Sequence, residues 1–395
     1  MGSMPDSTTI GDRKAGYRLR DSIAEHAVGW LSHVISVKNI TRPFWNRWRA
    51  SLIGDETIMS FLKSIDSLDA WQTQSMLLVK REIARVKALG SIPLEQRLYE
   101  LRRLSYLAHM GEWGCVEITE EKKELARMSR DLYIEAETLA HGDRYRRISI
   151  PWNGGKLWGN LHLPKDVPPP YPVVLILHGM DDSKEEHLMT ELEAQKHGAA
   201  VCCYDGPGQG ESFLLEGQLW TADFDRSASE LLTHLAAEHD CNPELAGASG
   251  ISWGGMWIYR LAANDSRFKA IYDLGGPINW WWQSLPYFLK SRFFQVLGAT
   301  DEAQLQSLYD AFSIDSPAVL EKVTCAVRIV HGEKDPIVKL QDKEWLHDEL
   351  RRLHPDSDIT MRVCPNGDHC CTGEAADIRC DATNFFLRVL DSLRR

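Results

Sequence analysis

Hydrophobic residues recur every three or four positions through the first 141 residues of the chain. The clearest run places Leu94, Leu98, Leu101, Leu104 and Ala108 on one face. A period near 3.6 positions is that of an amphipathic helix. The same texture predicts further helices over 20–35, 43–52, 56–64, 69–88 and 119–139.

After Gly142 apolar and polar residues alternate along the chain, a pattern that is typical of strands. Two alternating runs flank Asn153-Gly154-Gly155, a sequence that favours a β-hairpin. Short apolar runs then follow over 173–177, 199–204, 245–249, 270–274, 326–330 and 359–363. Because helical stretches separate these runs, we predict an α/β fold: a mostly parallel sheet with helices on both faces and the hairpin at its antiparallel edge.

The length of 395 residues exceeds that of an ordinary single core, so we expect two domains. The change of pattern predicts an N-terminal helical cap or dimerisation domain over 1–141 and an α/β domain over 142–395. About fifty residues lie between Gly276 and Cys325, too many for a plain crossover. We predict that this insertion, 277–324, forms part of a lid.

The composition of the chain argues against some classes of binding partner. The formal net charge of −11 and the lack of a basic run argue against nucleic acid or an anionic membrane. No apolar stretch approaches the roughly 20 residues that span a bilayer, and the N-terminus lacks the layout of a secretion signal. The nine cysteines form no C-x-x-C pair. We therefore expect free thiols in a cytoplasmic protein, with no metal and no cofactor.

Gly250-Ile251-Ser252-Trp253-Gly254 follows a predicted strand and has the G-x-S-x-G pattern of a nucleophile elbow. In this motif the serine lies on a sharp turn between strand and helix. The flanking residues are glycine because a side chain there would collide with neighbouring backbone. Ser252 is thus the candidate nucleophile.

A serine hydroxyl needs a base within hydrogen-bond reach and an acid that orients the base. On such a sheet these residues follow in the order serine, acid, histidine. Asp335 lies in the turn after the predicted strand 326–330, and His369 lies in the loop after the last strand. We predict that Asp335 is the acid and His369 the base, with Glu333 and Asp368 as weaker alternatives for the acid.

Two further histidines, His178 and His331, each end a strand directly before a glycine. We expect both to be buried and structural, satisfied by backbone hydrogen bonds. The loop 205–211 contains three glycines but lacks the lysine of a phosphate-binding loop. It is predicted to be a tight turn near the rim of the site.

A developing oxyanion needs backbone N–H donors aimed at it. The amide of Trp253, directly after the nucleophile, is one candidate. The other is the amide of Met180, in the turn after the first parallel strand. Gly179 belongs to that turn and is predicted to line the substrate site.

Aromatic residues cluster in the insertion. We predict that Trp280, Trp281, Trp282 and Tyr287 contact a planar or apolar substrate. The alternative is that this cluster, together with Phe293 and Phe294, packs the insertion against the helical domain.

The segments 182–186, 205–211 and 367–371 resemble motifs of a family of serine α/β-hydrolases. This family includes 2,6-dihydroxypseudooxynicotine hydrolase and the fungal hydrolases that shorten polyketides in pigment synthesis. The similarity runs from about Trp71 to the C-terminus. The resemblance implies the α/β-hydrolase fold, a triad of Ser252, Asp335 and His369, a cleft between helical domain and core, and a homodimer.

The resemblance also implies hydrolysis of a carbon–carbon bond beside a ketone in an aryl or polyketide substrate. The leading hypothesis is therefore retro-Claisen cleavage of a β-dicarbonyl or aryl ketone. From Gly276 to Thr300 the chain has no Asp or Glu, although relatives draw an acid from this insertion. Ester or thioester hydrolysis, or acyl transfer or cyclisation, is thus the main alternative. A non-catalytic binding protein is a third.

Overall fold

The computed structural model describes residues 37–51, 53–65, 67–115, 117–278 and 287–393. The predicted helix over 20–35 and the residues Trp280, Trp281 and Trp282 lie outside these ranges. Tyr287 is described only as the first residue of a helix.

Helices occupy the described chain up to residue 141. They are α1 (Val37–Thr41), α2 (Trp45–Ala50), α3 (Asp55–Lys63), α4 (Trp71–Ala88), α5 (Leu94–Trp113) and α6 (Glu120–His141). The predicted helical segments from residue 43 onwards are therefore confirmed. Helix α6 begins where Thr119 accepts a hydrogen bond from the Lys122 amide, which satisfies one of the first N–H groups of the helix. The domain boundary at 141/142 stays a prediction.

Large apolar side chains hold these helices together. Trp71 is buried and donates its indole N–H to Gly111 O at 3.0 Å. Phe61 meets the same ring edge to face at 4.9 Å. Gly114 lies so close that a Cβ there would fall 2.1 Å from the Trp71 ring. The N-terminal helices thus have a core of their own.

Eight strands form one sheet in the order β1-β2-β4-β3-β5-β6-β7-β8. They are β1 (Tyr145–Trp152), β2 (Gly155–His162), β3 (Tyr171–Leu177), β4 (Ala200–Asp205), β5 (Cys241–Ile251), β6 (Phe268–Leu274), β7 (Ala326–Gly332) and β8 (Ile359–Cys364). β1 and β2 pair antiparallel, β2 pairs antiparallel with β4, and the other pairs are parallel. The mostly parallel sheet with a hairpin at its edge is confirmed.

The hairpin between β1 and β2 turns on Asn153 and Gly154, both with positive φ (41° and 81°). This is the two-residue geometry that an Asn-Gly pair favours, because these residues enter the left-handed region at low cost.

Helices cover both faces of the sheet. In chain order they are α7 (Leu188–Lys196), α8 (Gly210–Leu214), α9 (Phe224–Glu238), α10 (Trp253–Asn264), α11 (Tyr287–Leu297), α12 (Glu302–Asp310), α13 (Pro317–Leu320), α14 (Leu340–Leu353) and α15 (Ala375–Ser392). Helices α11, α12 and α13 belong to the insertion. No helix within the described ranges combines the length and the apolar character that crossing a bilayer requires.

The parallel register aligns the carboxyl ends of the central strands. Leu177 of β3 pairs with Gly250 of β5, and Ile251 pairs with Leu274 of β6. Leu274 in turn pairs with Val330 of β7. Loops that follow these strands therefore meet at one edge, where sites form in open α/β sheets.

Candidate active site

Ser252 lies between β5 and α10 with φ 52° and ψ −120°. A non-glycine residue in this region is strained, and such strain is characteristic of a nucleophile elbow. A Cβ on Gly254 would lie 1.7 Å from Leu177 O, and one on Gly250 would lie 2.4 Å from Gly254 O. The turn can therefore form only with glycine at both positions.

The structure brings Ser252, His369 and Asp335 together. His369 Nε2 lies 2.9 Å from Ser252 Oγ, and His369 Nδ1 lies 2.7 Å from Asp335 Oδ2. The other Asp335 oxygen accepts hydrogen bonds from the amides of Ile337 and Val338 at 2.8 and 3.0 Å. One oxygen of the Asp335 carboxylate is thus held by backbone amides, and the other contacts the imidazole.

Glu333 and Asp368, the alternative candidates for the acid, lie in surroundings different from those of Asp335. The side chain of Glu333 is exposed to solvent, whereas that of Asp335 is buried against the imidazole. Asp368 accepts hydrogen bonds from the Thr372 amide and hydroxyl at 2.6 and 2.8 Å, so it caps the short helical turn after His369.

The two strand-end histidines are buried, as expected. His331 Nε2 lies 3.0 Å from Val338 O, a backbone partner. His178 has one backbone contact, from Nδ1 to Gly179 O, but its Nε2 lies 2.9 Å from the Asp205 carboxylate. His178 thus has the expected backbone partner and, in addition, a carboxylate partner that the sequence did not predict.

Charge interactions shift the pKa values of the acid and the base. Burial raises the pKa of Asp335, but His369 and the two amide donors outweigh it, so that pKa lies below its ordinary value. Burial lowers the pKa of His369, whereas Cys370 and Asp335 raise it, and the net direction is upward. Because burial raises the pKa of the Cys370 thiol, the charge that faces the imidazole near neutral pH is that of Asp335.

The turn after β3 lies beside Ser252. A Cβ on Gly179 would come within 3.4 Å of Ser252 Cβ, and Met180 and Trp253 line the same cavity as Ser252. Among the described residues, no acceptor takes the Met180 amide. This arrangement is compatible with an oxyanion hole built from the Met180 and Trp253 amides, and both roles stay predictions.

Arg47 of α2 holds this turn from the side of the N-terminal helices, a contact that sequence reasoning missed. Its guanidinium donates to Asp182 Oδ1 at 2.5 Å and to both oxygens of Glu186 at 2.6 Å. The other Asp182 oxygen accepts from the Gly179 amide at 3.0 Å. Burial raises the pKa of Glu186, but Arg47 outweighs it and lowers that pKa to about 2. Both acids lie in the motif 182–186, but nothing local marked Arg47 as their partner.

A buried charge cluster lies behind the same turn. Lys184 Nζ lies 2.7 Å from Asp205 Oδ2 and 3.0 Å from Glu211 Oε2, and all three side chains are buried. Asp205 also accepts from the amides of Lys184 and Glu211, both at 2.8 Å. The loop 205–211 is the expected tight turn, and its acids are partners of the lysine that follows β3.

A cavity of about 650 Å³ opens above Ser252 and His369. Its walls come from the N-terminal helices, including Phe44 and Arg47, and from the sheet domain, including Leu274. This volume falls within the range of small-molecule sites, roughly 300–1,000 Å³. Met180, Trp253 and Leu289 add apolar surface near the serine.

Aromatic residues of the insertion pack beneath the nucleophile. Phe293 of α11 is buried and lies 5.0 Å from the Trp253 ring and 5.8 Å from Trp220. The indole that follows Ser252 is therefore an anchor for the insertion. This favours packing for Phe293, while the predicted substrate contacts of Trp280, Trp281 and Trp282 lie outside the described residues.

His178, Asp182 and His187 present atoms within 4.8 Å of one another, a spacing that can hold a metal ion. Both nitrogens of His178 already contact oxygen atoms. These atoms fit a hydrogen-bonded turn better than a metal site.

Comparison with known proteins places this geometry in a family. The chain is 26% identical over 225 residues to 2,6-dihydropseudooxynicotine hydrolase of Paenarthrobacter nicotinovorans, a match that covers 56% of this chain and 59% of the relative. It is 34% identical over 143 residues to 20-hydroxy-prefusarin hydrolase FUS2 of Gibberella moniliformis, or 34% of each chain. The chain thus matches less than two thirds of the length of these curated relatives.

Among solved structures, the crystal structure of 2,6-dihydroxy-pseudo-oxynicotine hydrolase superposes with a TM-score of 0.74 at 22% identity. The match covers 88% of this chain and 95% of that one. At this identity it confirms the α/β-hydrolase fold. Residues 187–392, just over half of the chain, match the prolyl oligopeptidase family. The expected resemblance to α/β-hydrolases of this kind is confirmed, and the chain belongs to the prolyl oligopeptidase family.

Proposed function

We propose that this protein is a serine hydrolase in which Ser252 is the nucleophile, His369 the general base and acid, and Asp335 the residue that orients His369. The observation that carries this proposal is the pair of contacts at 2.9 and 2.7 Å that join the three side chains at the floor of the cavity. The names of the relatives, hydrolases of 2,6-dihydropseudooxynicotine and of 20-hydroxy-prefusarin, support a hydrolase.

The proposed substrate is an aryl ketone or a polyketide with a β-dicarbonyl group. Ser252 Oγ adds to a carbonyl carbon while His369 Nε2 takes the hydroxyl proton. The Met180 and Trp253 amides stabilise the oxyanion. Collapse of this intermediate breaks the carbon–carbon bond, and its electron pair passes to a carbanion that the second carbonyl stabilises. His369 returns its proton to this carbanion.

Water then completes the reaction. It adds to the acyl carbon while His369 takes its proton, and the acid product leaves as Ser252 regains its hydrogen. The apolar surface from Leu274, Leu289 and Phe44 suits an aromatic or polyketide acyl group. The expected homodimer remains part of the proposal drawn from the resemblance.

The second candidate is hydrolysis of an ester or thioester, or transfer of the acyl group to a nucleophile within the substrate. The favouring observation is the absence of Asp and Glu from Gly276 to Thr300. An ester leaving group accepts the proton of His369 directly, so it needs no further acid from the insertion.

One experiment separates these reactions. The purified chain and a Ser252→Ala variant are incubated with a synthetic aryl β-diketone and with the aryl ester of the same acyl group, and products are identified by mass spectrometry. Chain-shortened acid and methyl ketone from the diketone, absent with Ser252→Ala, support carbon–carbon cleavage. Turnover of the ester alone supports the second candidate. Failure of a fluorophosphonate to label Ser252 would contradict both.

A further inference from the structure

A second cluster of polar side chains lies away from the triad, between α6 and β2. Glu137 and His141 are four residues apart on α6, which places them on one face of the helix. His162 ends β2 and faces them. Single oxygen or nitrogen atoms of these three side chains lie within 4.8 Å of one another.

The distances in this cluster are too long for strong hydrogen bonds. Glu137 Oε2 lies 3.3 Å from His141 Nε2 and 3.5 Å from His162 Nε2. Neither histidine has a hydrogen-bond partner among the described residues, although all four ring nitrogens are buried. The side chains of Glu137 and His162 are 0% exposed. Buried imidazole nitrogens without a partner are unfavourable, so a ligand between them would offset that cost.

The same distances suit a metal ion. In a tetrahedral zinc site with bonds of about 2.0–2.2 Å, neighbouring ligand atoms lie about 3.3–3.6 Å apart. Two imidazole nitrogens and one carboxylate oxygen form a ligand set that zinc takes in proteins. His141, whose side chain is 12% exposed, lies at the edge of the cluster.

Residues behind the cluster hold these ligands in the way that metal sites require. His162 Nδ1 faces the Glu191 carboxylate at 3.4 Å without a hydrogen bond in this structure, on the side where a metal-bound histidine commonly has a carboxylate. Arg102 donates to both Glu137 oxygens at 2.7 and 2.9 Å, which fixes the carboxylate and leaves lone pairs on Oε2.

We propose that Glu137, His141 and His162 bind a zinc ion that fastens helix α6 to strand β2. His162 pairs with Val201 near the start of β4, whereas the triad lies beyond the opposite, carboxyl ends of the parallel strands. None of the three ligands lines the cavity above Ser252. The zinc ion is therefore structural and lies apart from the catalytic residues.

The test uses the full chain, purified without added metal and then dialysed against EDTA. Zinc sulfate is added back, excess is removed, and metal is measured by inductively coupled plasma mass spectrometry. We expect about one zinc ion per chain and a Tm that rises by several degrees on reloading. Cobalt in place of zinc should give the visible absorption of a four-coordinate Co²⁺ ion bound by nitrogen and oxygen.

The His141→Gln variant removes one ligand at the partly exposed edge of the site. We expect it to lose the zinc, the cobalt absorption and the zinc-dependent rise in Tm. The matched control is His347→Gln on α14, which removes a histidine that pairs with the exposed Asp348. The control and Ser252→Ala should both retain zinc. A chain that takes up no zinc and no cobalt, with a Tm insensitive to either, would overturn the proposal and leave a buried ion-pair cluster. Full retention by folded His141→Gln would overturn it as well.

Discussion

Arg47 and Asp182 join the N-terminal helices to the turn beside the nucleophile: Arg47 Nη2 lies 2.5 Å from Asp182 Oδ1. The second Asp182 oxygen accepts the Gly179 amide at 3.0 Å, next to the predicted oxyanion donor Met180. A guanidinium on helix α2 is thus linked to the turn after β3, because the Asp182 carboxylate contacts both Arg47 and the Gly179 amide.

The Arg47→Met change tests this relationship. Without the guanidinium, Asp182 and Glu186 lose the cation that they share, although Glu186 keeps its contact with His109. The turn is then freer to shift, so we expect kcat and the rate of fluorophosphonate labelling to fall by up to about 100-fold. The small probe does not fill the cavity, so its labelling rate reports the turn rather than substrate binding. The matched control is Arg49→Met on the same helix, an exposed arginine that pairs with Asp55. Equal labelling rates in two folded variants would contradict a positioning role.

The pH dependence of activity tests the pairing of His369 with Asp335. Only the neutral imidazole can take the proton of Ser252, so activity is present above the pKa of His369 and is lost as pH falls through it. Because the net shift of that pKa is upward, with Asp335 as its anionic partner, the acid limb of kcat/KM should lie above the ordinary histidine value of about 6.5. The Asp335→Asn variant should move this limb to lower pH while kcat falls by roughly 1,000- to 10,000-fold.

Glu333→Gln is the control for this prediction, since Glu333 is the competing acid in the same turn and is exposed. Its profile should match that of the unchanged protein. An acid limb that moves in Glu333→Gln and stays in place in Asp335→Asn would reverse the assignment of the acid.

The positions of the proposed catalytic residues could be predicted from the sequence because each lies shortly after a strand. Ser252 follows β5, Asp335 lies three residues after β7, and His369 lies five residues after β8. Strand periodicity and turn residues locate these positions, and the parallel sheet brings them to one edge. The fold and the geometry of the triad therefore followed from local patterns.

Contacts between distant segments could not be predicted in the same way. Arg47 and Glu186 are 139 positions apart, and no local pattern links them. The spacing of Glu137 and His141 is visible on one helix, but the third member of that cluster, His162, comes from a strand. Such partners emerge only when helices dock on the sheet, so sequence periodicity carries no information about them.

The buried Lys184 gives a prediction about stability. Burial lowers the pKa of this lysine, but Asp205, Glu185 and Glu211 outweigh it and raise the pKa well above its ordinary value. The Lys184→Met variant would remove the cation that these three carboxylates share, while Asp205 keeps its contact with His178 and Glu211 keeps its contact with Arg147. We expect the free energy of unfolding to fall by about 3 kcal/mol. Lys196→Met is the control, since that lysine is exposed and pairs with Glu193 on the same helix. Chemical denaturation of both variants provides the measurement, and an equal loss in the two would contradict the importance of the buried cluster.

Gly254 provides the sharpest test of the elbow. A Cβ at this position would lie 1.7 Å from Leu177 O. This oxygen belongs to the backbone of β3, which cannot move aside as a flexible side chain can. The Gly254→Ala variant should therefore lose about 3 kcal/mol or more of its free energy of unfolding, or fold with Ser252 displaced and unreactive toward a fluorophosphonate. Gly54→Ala is the matched control, because Gly54 has a negative φ and a Cβ added there would meet no described atom within 4 Å. That variant should stay within about 0.5 kcal/mol of the unchanged protein. A Gly254→Ala protein with ordinary stability and full labelling of Ser252 would show that β3 and α10 are farther apart than the structure has them.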